Sequence, residues 1–159
     1  MIQRFAALMV VAGLGTGAVL RIVAGRGRFA TFVAVAHLPV LYHVVVTVFA
    51  GLRAGVEPLP IGLYAIGSLV LMAAGVYLGR RMTARRPWWA AFMPAATLAA
   101  YLLLAVLPFG YALRGTGAGF DTVPLFGAVL ATIFTVSALV PFAPPPVTGP
   151  RLPRFPWQR

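Results

Sequence analysis

The chain has 159 residues and a formal net charge of +11; 61% of its residues are hydrophobic, only 9% are charged, and the mean hydropathy is +0.94. Soluble domains carry about 25% charged residues, so the composition excludes a water-soluble globular domain and predicts an integral membrane protein. Glu57 and Asp121 are the only carboxylates and cysteine is absent, which excludes paired-carboxylate hydrolysis, two-metal chemistry, Walker-type nucleotide hydrolysis, thiolate metal sites and cysteine nucleophiles.

A bilayer core of about 30 Å needs roughly 20 apolar residues per helix. Five segments meet that length: 5–23, 29–50, 61–79, 88–107 and 123–142. The predicted fold is therefore all-α, a polytopic membrane bundle of five transmembrane helices over residues 1–143, followed by a Pro/Arg-rich tail over 144–159. Arg4 ahead of an apolar run, with the small residues Gly15–Ala18 behind it, also has the outline of a cleavable signal peptide. The run continues to Val23, beyond the roughly 7–15 residues of a signal h-region, so a retained first helix is the reading adopted.

All thirteen cations are arginine. They lie in small clusters between apolar runs, the pattern of membrane flanks rather than of a groove-entering nucleic-acid reader, so no nucleic-acid partner is expected. Arg21, Arg26, Arg28, Arg80, Arg81, Arg85, Arg86, Arg151, Arg154 and Arg159 put ten charges on one side of a five-helix topology; Arg4, Arg53 and Arg114 put three on the other. The positive-inside rule then predicts an external N-terminus and a cytoplasmic C-terminus. The expected location is a bacterial cytoplasmic (inner) membrane.

In the first helix Gly13 and Gly17 stand four apart, Gly75 and Gly79 do so in the third, and Ala91, Ala95 and Ala99 repeat the spacing in the fourth. Lipid supplies little hydrophobic drive between helices, so small residues at this spacing predict close backbone packing. Gly13-Leu14-Gly15-Thr16-Gly17-Ala18 also mimics a dinucleotide fingerprint, but the strand before it and the acid about 20 residues on are missing.

His37 and His43 in the second helix are the candidate cofactor-binding residues. Both fall within about 6 Å of its midpoint, a depth at which ionisable groups face protein and mark function. On an ideal helix six residues turn about 240°, so the two rings are expected on different faces. Pro39 between them is expected to kink the axis and free a carbonyl that one imidazole can satisfy. The readings open for these histidines are hydrogen-bonded packing, a haem, pigment or quinone contact, or a proton relay. Pro39 and Pro94 also mark the helix breaks that a small homo-oligomeric transporter or channel would use.

Four arginines precede Trp88 and Trp89, placing two indoles at headgroup depth. Asp121 and Thr122 ahead of Pro124 read as a cap for the fifth helix. Glu57 sits in a Glu-Pro-Leu-Pro turn.

In the tail Pro150, Pro153 and Pro156 recur every three residues, the repeat of a polyproline II helix. That register sets Arg151 and Arg154 on one edge and Leu152 and Phe155 on another, with Trp157 following. Such a strap is expected to dock on a partner or on anionic lipid headgroups.

No nucleophile–base pair is evident, so the sequence reads as a non-enzyme with no metal site and no certain cofactor. The function expected is that of an accessory subunit of a larger, bioenergetic membrane complex. Its expected partners are other membrane subunits of that hetero-complex and membrane lipids.

Overall fold

The computed structural model describes residues 2–114 and 122–146. Every regular element among them is helical. Five helices are long and apolar enough to cross a membrane: Gln3–Val23, Arg26–Arg53, Pro58–Met82, Pro87–Ala112 and Thr122–Phe142. Two of the five are interrupted. The elements are therefore α1 (Ile2–Val23), a 3₁₀ turn (Arg26–Arg28), α2 (Phe29–Val35), α3 (Leu38–Arg53), α4 (Pro58–Met82), α5 (Pro87–Tyr101), a π-helical turn (Leu102–Val106), α6 (Leu107–Ala112) and α7 (Thr122–Phe142). Asp121 lies outside the described residues, as does the tail from residue 147 onward.

Proline chemistry explains most of the starts and both interruptions. A proline occupies one of the first two positions of α3, α4, α5 and α6, where the missing N–H is one the helix leaves unbonded anyway. Pro39 has no N–H for the Val35 carbonyl and Pro108 none for that of Leu104. The chain turns at Ala36 and His37 just before the first and widens to a π-turn just before the second, with the Leu107 N–H donating to the Leu102 carbonyl. Gly55 ends α3 at φ +70. The Val56 N–H donates to the Gly51 carbonyl at 3.0 Å and the Gly55 N–H to that of Leu52 at 3.2 Å, which closes a Schellman cap.

The two interrupted helices form the middle of the bundle, with α4 packed on one side and α7 on the other; α1 is held outside by α7. One apolar cluster joins Val40, Val44, Ile61, Tyr64, Leu98, Tyr101 and Phe109 toward the Glu57 end. A second joins Phe29, Val33, Ala36, Ala90, Ala91, Leu139 and Phe142 toward the end carrying most of the arginines. Leucine, valine and aromatic side chains cover the outer surface, including Val11, Ile22, Leu63, Phe92 and Leu104. That apolar exterior suits acyl chains in place of water.

The glycine pair of α1 meets α7 within this chain. A Cβ built on Gly13 would stand 2.5 Å from the Phe134 carbonyl oxygen, and one on Gly17 would overlap the Ala138 carbonyl oxygen. Backbone thus meets backbone along this seam, which a side chain would force apart. Gly79 of α4 lies against Val33, 2.8 Å from a built Cβ. The alanines of α5 do not form one internal seam: Ala91 is buried, Ala95 is half-buried and Ala99 is exposed. Each four-residue step turns about 40° past a full revolution, so two steps carry the stripe roughly 80° around the helix.

Candidate functional site

The centre of the bundle holds polar side chains, and their placement begins with the interruption before α3. At Ala36–His37 the backbone tightens: the His37 N–H donates to the Ala34 carbonyl at 3.1 Å, three residues back. The Val33 carbonyl, which a regular helix would pair with that N–H, receives the His37 side chain instead, with Nδ1 2.8 Å away. A carbonyl only accepts, so Nδ1 carries the proton and neutral His37 presents Nε2 as an acceptor. Thr97 Oγ1 donates to it from α5 across 3.1 Å.

The same interruption resets the helical phase. On an unbroken helix the two histidines would point about 240° apart; here both turn toward α5. His43 Nδ1 is 2.5 Å from the Tyr101 hydroxyl, and Tyr101 lies one turn beyond Thr97. His37 and His43 are 1% and 0% exposed. The expectation of different faces is therefore corrected, because it assumed a continuous helix through Pro39.

From Tyr101 the network continues to α4. The Tyr101 and Tyr64 hydroxyls are hydrogen-bonded to each other. His43, Tyr101 and Tyr64 thus link α3, α5 and α4. Ser68 Oγ donates to the Tyr64 carbonyl at 2.6 Å. Phe109 stacks on the Tyr64 ring with centroids 4.5 Å apart. Tyr64 and Phe109 both line an apolar groove of about 330 Å³ between α4 and the α5–α6 segment, with Leu59, Leu63, Leu104 and Pro108.

Gly75 makes room for the His37–Thr97 bond. A Cβ built there would overlap Thr97 Oγ1 and stand 3.0 Å from His37 Nε2. Of the two glycines expected to form a packing stripe on α4, this one admits a hydrogen bond between two neighbouring helices.

Sequence reasoning missed Tyr64, Thr97 and Tyr101. A signal was present: Thr97 and Tyr101 are a polar pair four residues apart inside an apolar run, and that spacing stacks side chains on one helix face. By contrast Thr16, Ser68, Thr132 and Ser137 donate to carbonyls four residues back on their own helices, so they need no partner helix. The break expected at Pro94 is corrected: Pro94 lies buried inside α5, which continues through it, and the interruption of this span comes before Pro108, which has no N–H for the Leu104 carbonyl. Arg151, Leu152, Arg154, Phe155 and Trp157, the expected docking residues, lie outside the described residues.

Chemically the arrangement is a hydrogen-bonded clamp. Both His37 ring nitrogens are engaged by this chain's own groups, so a metal, haem or pigment could bind there only by displacing Thr97 or the Val33 carbonyl. Comparison with protein-family models, curated proteins and solved structures finds no match to the chain.

Proposed function

We propose that the chain is an accessory subunit of a larger membrane assembly, supplying closely packed helices and a docking tail rather than chemistry. The observation that carries this reading is the use made of the two mid-bundle histidines. Ionisable residues at that depth are the usual place for function, and here each is tied to α5: His37 through Thr97 and His43 through Tyr101. They act as cross-helix fasteners in a bundle whose interior gains little from the hydrophobic effect. The Pro/Arg tail is assigned to docking on a neighbouring subunit.

In this reading the protein crosses a bacterial cytoplasmic membrane five times, with the arginine-rich connections inside. The cysteine-free sequence allows single thiols to test that topology. A cysteine replacing Glu57 is expected to react with an impermeant maleimide added outside intact cells, and one replacing Ala84 only after lysis; the reverse pattern would overturn the orientation.

The subunit role is tested by mild-detergent purification from the native membrane, with identification of every retained protein. A stable set of foreign subunits is expected, and Arg151→Ala with Arg154→Ala should insert normally while losing them. Recovery of a lone homo-oligomer would remove the role and favour a small transporter.

A further inference from the structure

We propose that the seven arginines of the α1–α2 and α4–α5 connections form a binding site for the phosphodiester headgroups of anionic phospholipids. Arg21, in the last turn of α1, flanks the first connection, which holds Arg26 and Arg28; Arg80 and Arg81, in the last turn of α4, flank the second, which holds Arg85 and Arg86; all seven are exposed. Tertiary packing brings the two connections to the same end of the bundle. Leu20, Phe29, Met82, Ala90 and Ala91 share one apolar cluster, and four of the arginines, Arg21, Arg28, Arg81 and Arg80, stand within two residues of its members.

Among the described residues these charges have no carboxylate beside them. Glu57, the one acid among the described residues, lies between α3 and α4 at the opposite end, and the other acid of the sequence, Asp121, is 35 residues from Arg86 along the chain. The second connection is also held in place rather than loosely tethered. The Arg86 and Arg85 N–H groups donate to the Met82 carbonyl at 2.7 and 3.2 Å, and the buried Pro87 follows at once. Arg85 and Arg86 are therefore fixed at the rim of the bundle.

Depth selects lipid over a soluble acidic partner. α1 has 22 residues and α4 has 25, lengths of about 33 and 37 Å against a hydrocarbon core of about 30 Å. The last turns of both, which carry Arg21, Arg80 and Arg81, therefore reach the headgroup layer. Exposed Tyr77, Trp88 and Trp89 surround the same end, the aromatic signature of that layer. Guanidinium groups match phosphate through paired parallel N–H donors, which lysine does not provide.

The inference requires membrane insertion but not the subunit role: a lone homo-oligomer would end that role and leave this site intact. The test is native mass spectrometry of the full-length protein from nanodiscs containing phosphatidylglycerol and phosphatidylcholine. Each arginine near an anionic surface contributes about fivefold in affinity, so Arg85→Gln with Arg86→Gln should reduce the preference for phosphatidylglycerol by roughly 25-fold. Arg53→Gln with Arg114→Gln, at the opposite end, should change it less than twofold. Lysine at positions 80, 81, 85 and 86 keeps the charge and the topology signal but should still retain severalfold fewer phosphatidylglycerol molecules. Equal losses from the two glutamine pairs, no loss from either, or full retention by the lysine variant would each overturn the proposal. Displacement of the lipid from the wild-type protein by an acidic subunit of the native membrane would do so as well.

Discussion

Replacing Gly75 with alanine adds a single methyl group at the point where α4 crosses the His37–Thr97 bond. The new Cβ would overlap Thr97 Oγ1, lie 2.9 Å from Thr97 Cγ2 and stand 3.0 Å from His37 Nε2. Overpacking of this kind costs about 1–3 kcal/mol. Loss of an interhelical hydrogen bond in a membrane bundle adds about 0.6–1.7 kcal/mol, and the better helix propensity of alanine offsets up to about 1 kcal/mol. The expected net loss is about 1–4 kcal/mol, measured by reversible unfolding of the purified protein in mixed micelles titrated with dodecyl sulfate. Thr97→Ala alone should cost about 1 kcal/mol, because it removes the donor to Nε2 without creating a clash. The double variant should then be little worse than Thr97→Ala, since both colliding Thr97 atoms are gone, giving a coupling of about 1–3 kcal/mol. Gly62→Ala, on the same helix with nothing within 4 Å of a built Cβ, should be neutral or slightly stabilising. Additive effects of Gly75→Ala and Thr97→Ala within about 0.5 kcal/mol would refute the assignment of Gly75 as the space for that bond.

Gly17→Leu should release α1 from α7, because the obstructing atom is the Ala138 carbonyl oxygen, part of a helix backbone that cannot swing aside. Amide hydrogen exchange should rise across Ile2–Val23 and stay unchanged in α3–α5; uniform protection would show that the seam holds nothing. His43→Leu should give a folded protein destabilised by about 0.6–1.7 kcal/mol, since Tyr101 keeps its bond to Tyr64. Tyr101→Phe severs both links at once and should cost about twice as much in the same unfolding assay. A visible absorption band lost in His43→Leu would instead establish a bound chromophore and replace the fastener reading.

Much of the architecture is legible without coordinates. Few charges and long apolar runs leave only closed helices as a way to satisfy the backbone in lipid, and five runs of sufficient length give five membrane-length helices. Pro39 marks the site of the α2–α3 interruption, and prolines announce the starts of α4 and α5. The structure extends α4 beyond the apolar run 61–79 to Pro58–Met82. Hydropathy ends at Arg80, whereas hydrogen bonding continues until the turn at Thr83–Arg86.

Rotational phase is what the sequence leaves open. Soluble helices separate inside from outside by polarity, but a helix facing lipid is apolar on its outer side too, so composition around the axis carries little information about what it faces. The same four-residue spacing of small residues means a backbone seam at Gly13 and Gly17, room for a polar bond at Gly75, and open surface at Ala99. His43 and Tyr101 are 58 residues apart in the chain and His37 and Thr97 are 60 apart. Their pairing depends on a break in one helix and the crossing of another, and no local window contains both. The sequence by itself determined the all-helical class, the number of membrane-length helices and one of their two breaks, at Pro39; it placed the other at Pro94, whereas the structure has it just before Pro108. Only the tertiary structure decided which faces meet, because packing, rather than polarity, chooses the inner face of a helix whose whole circumference is apolar.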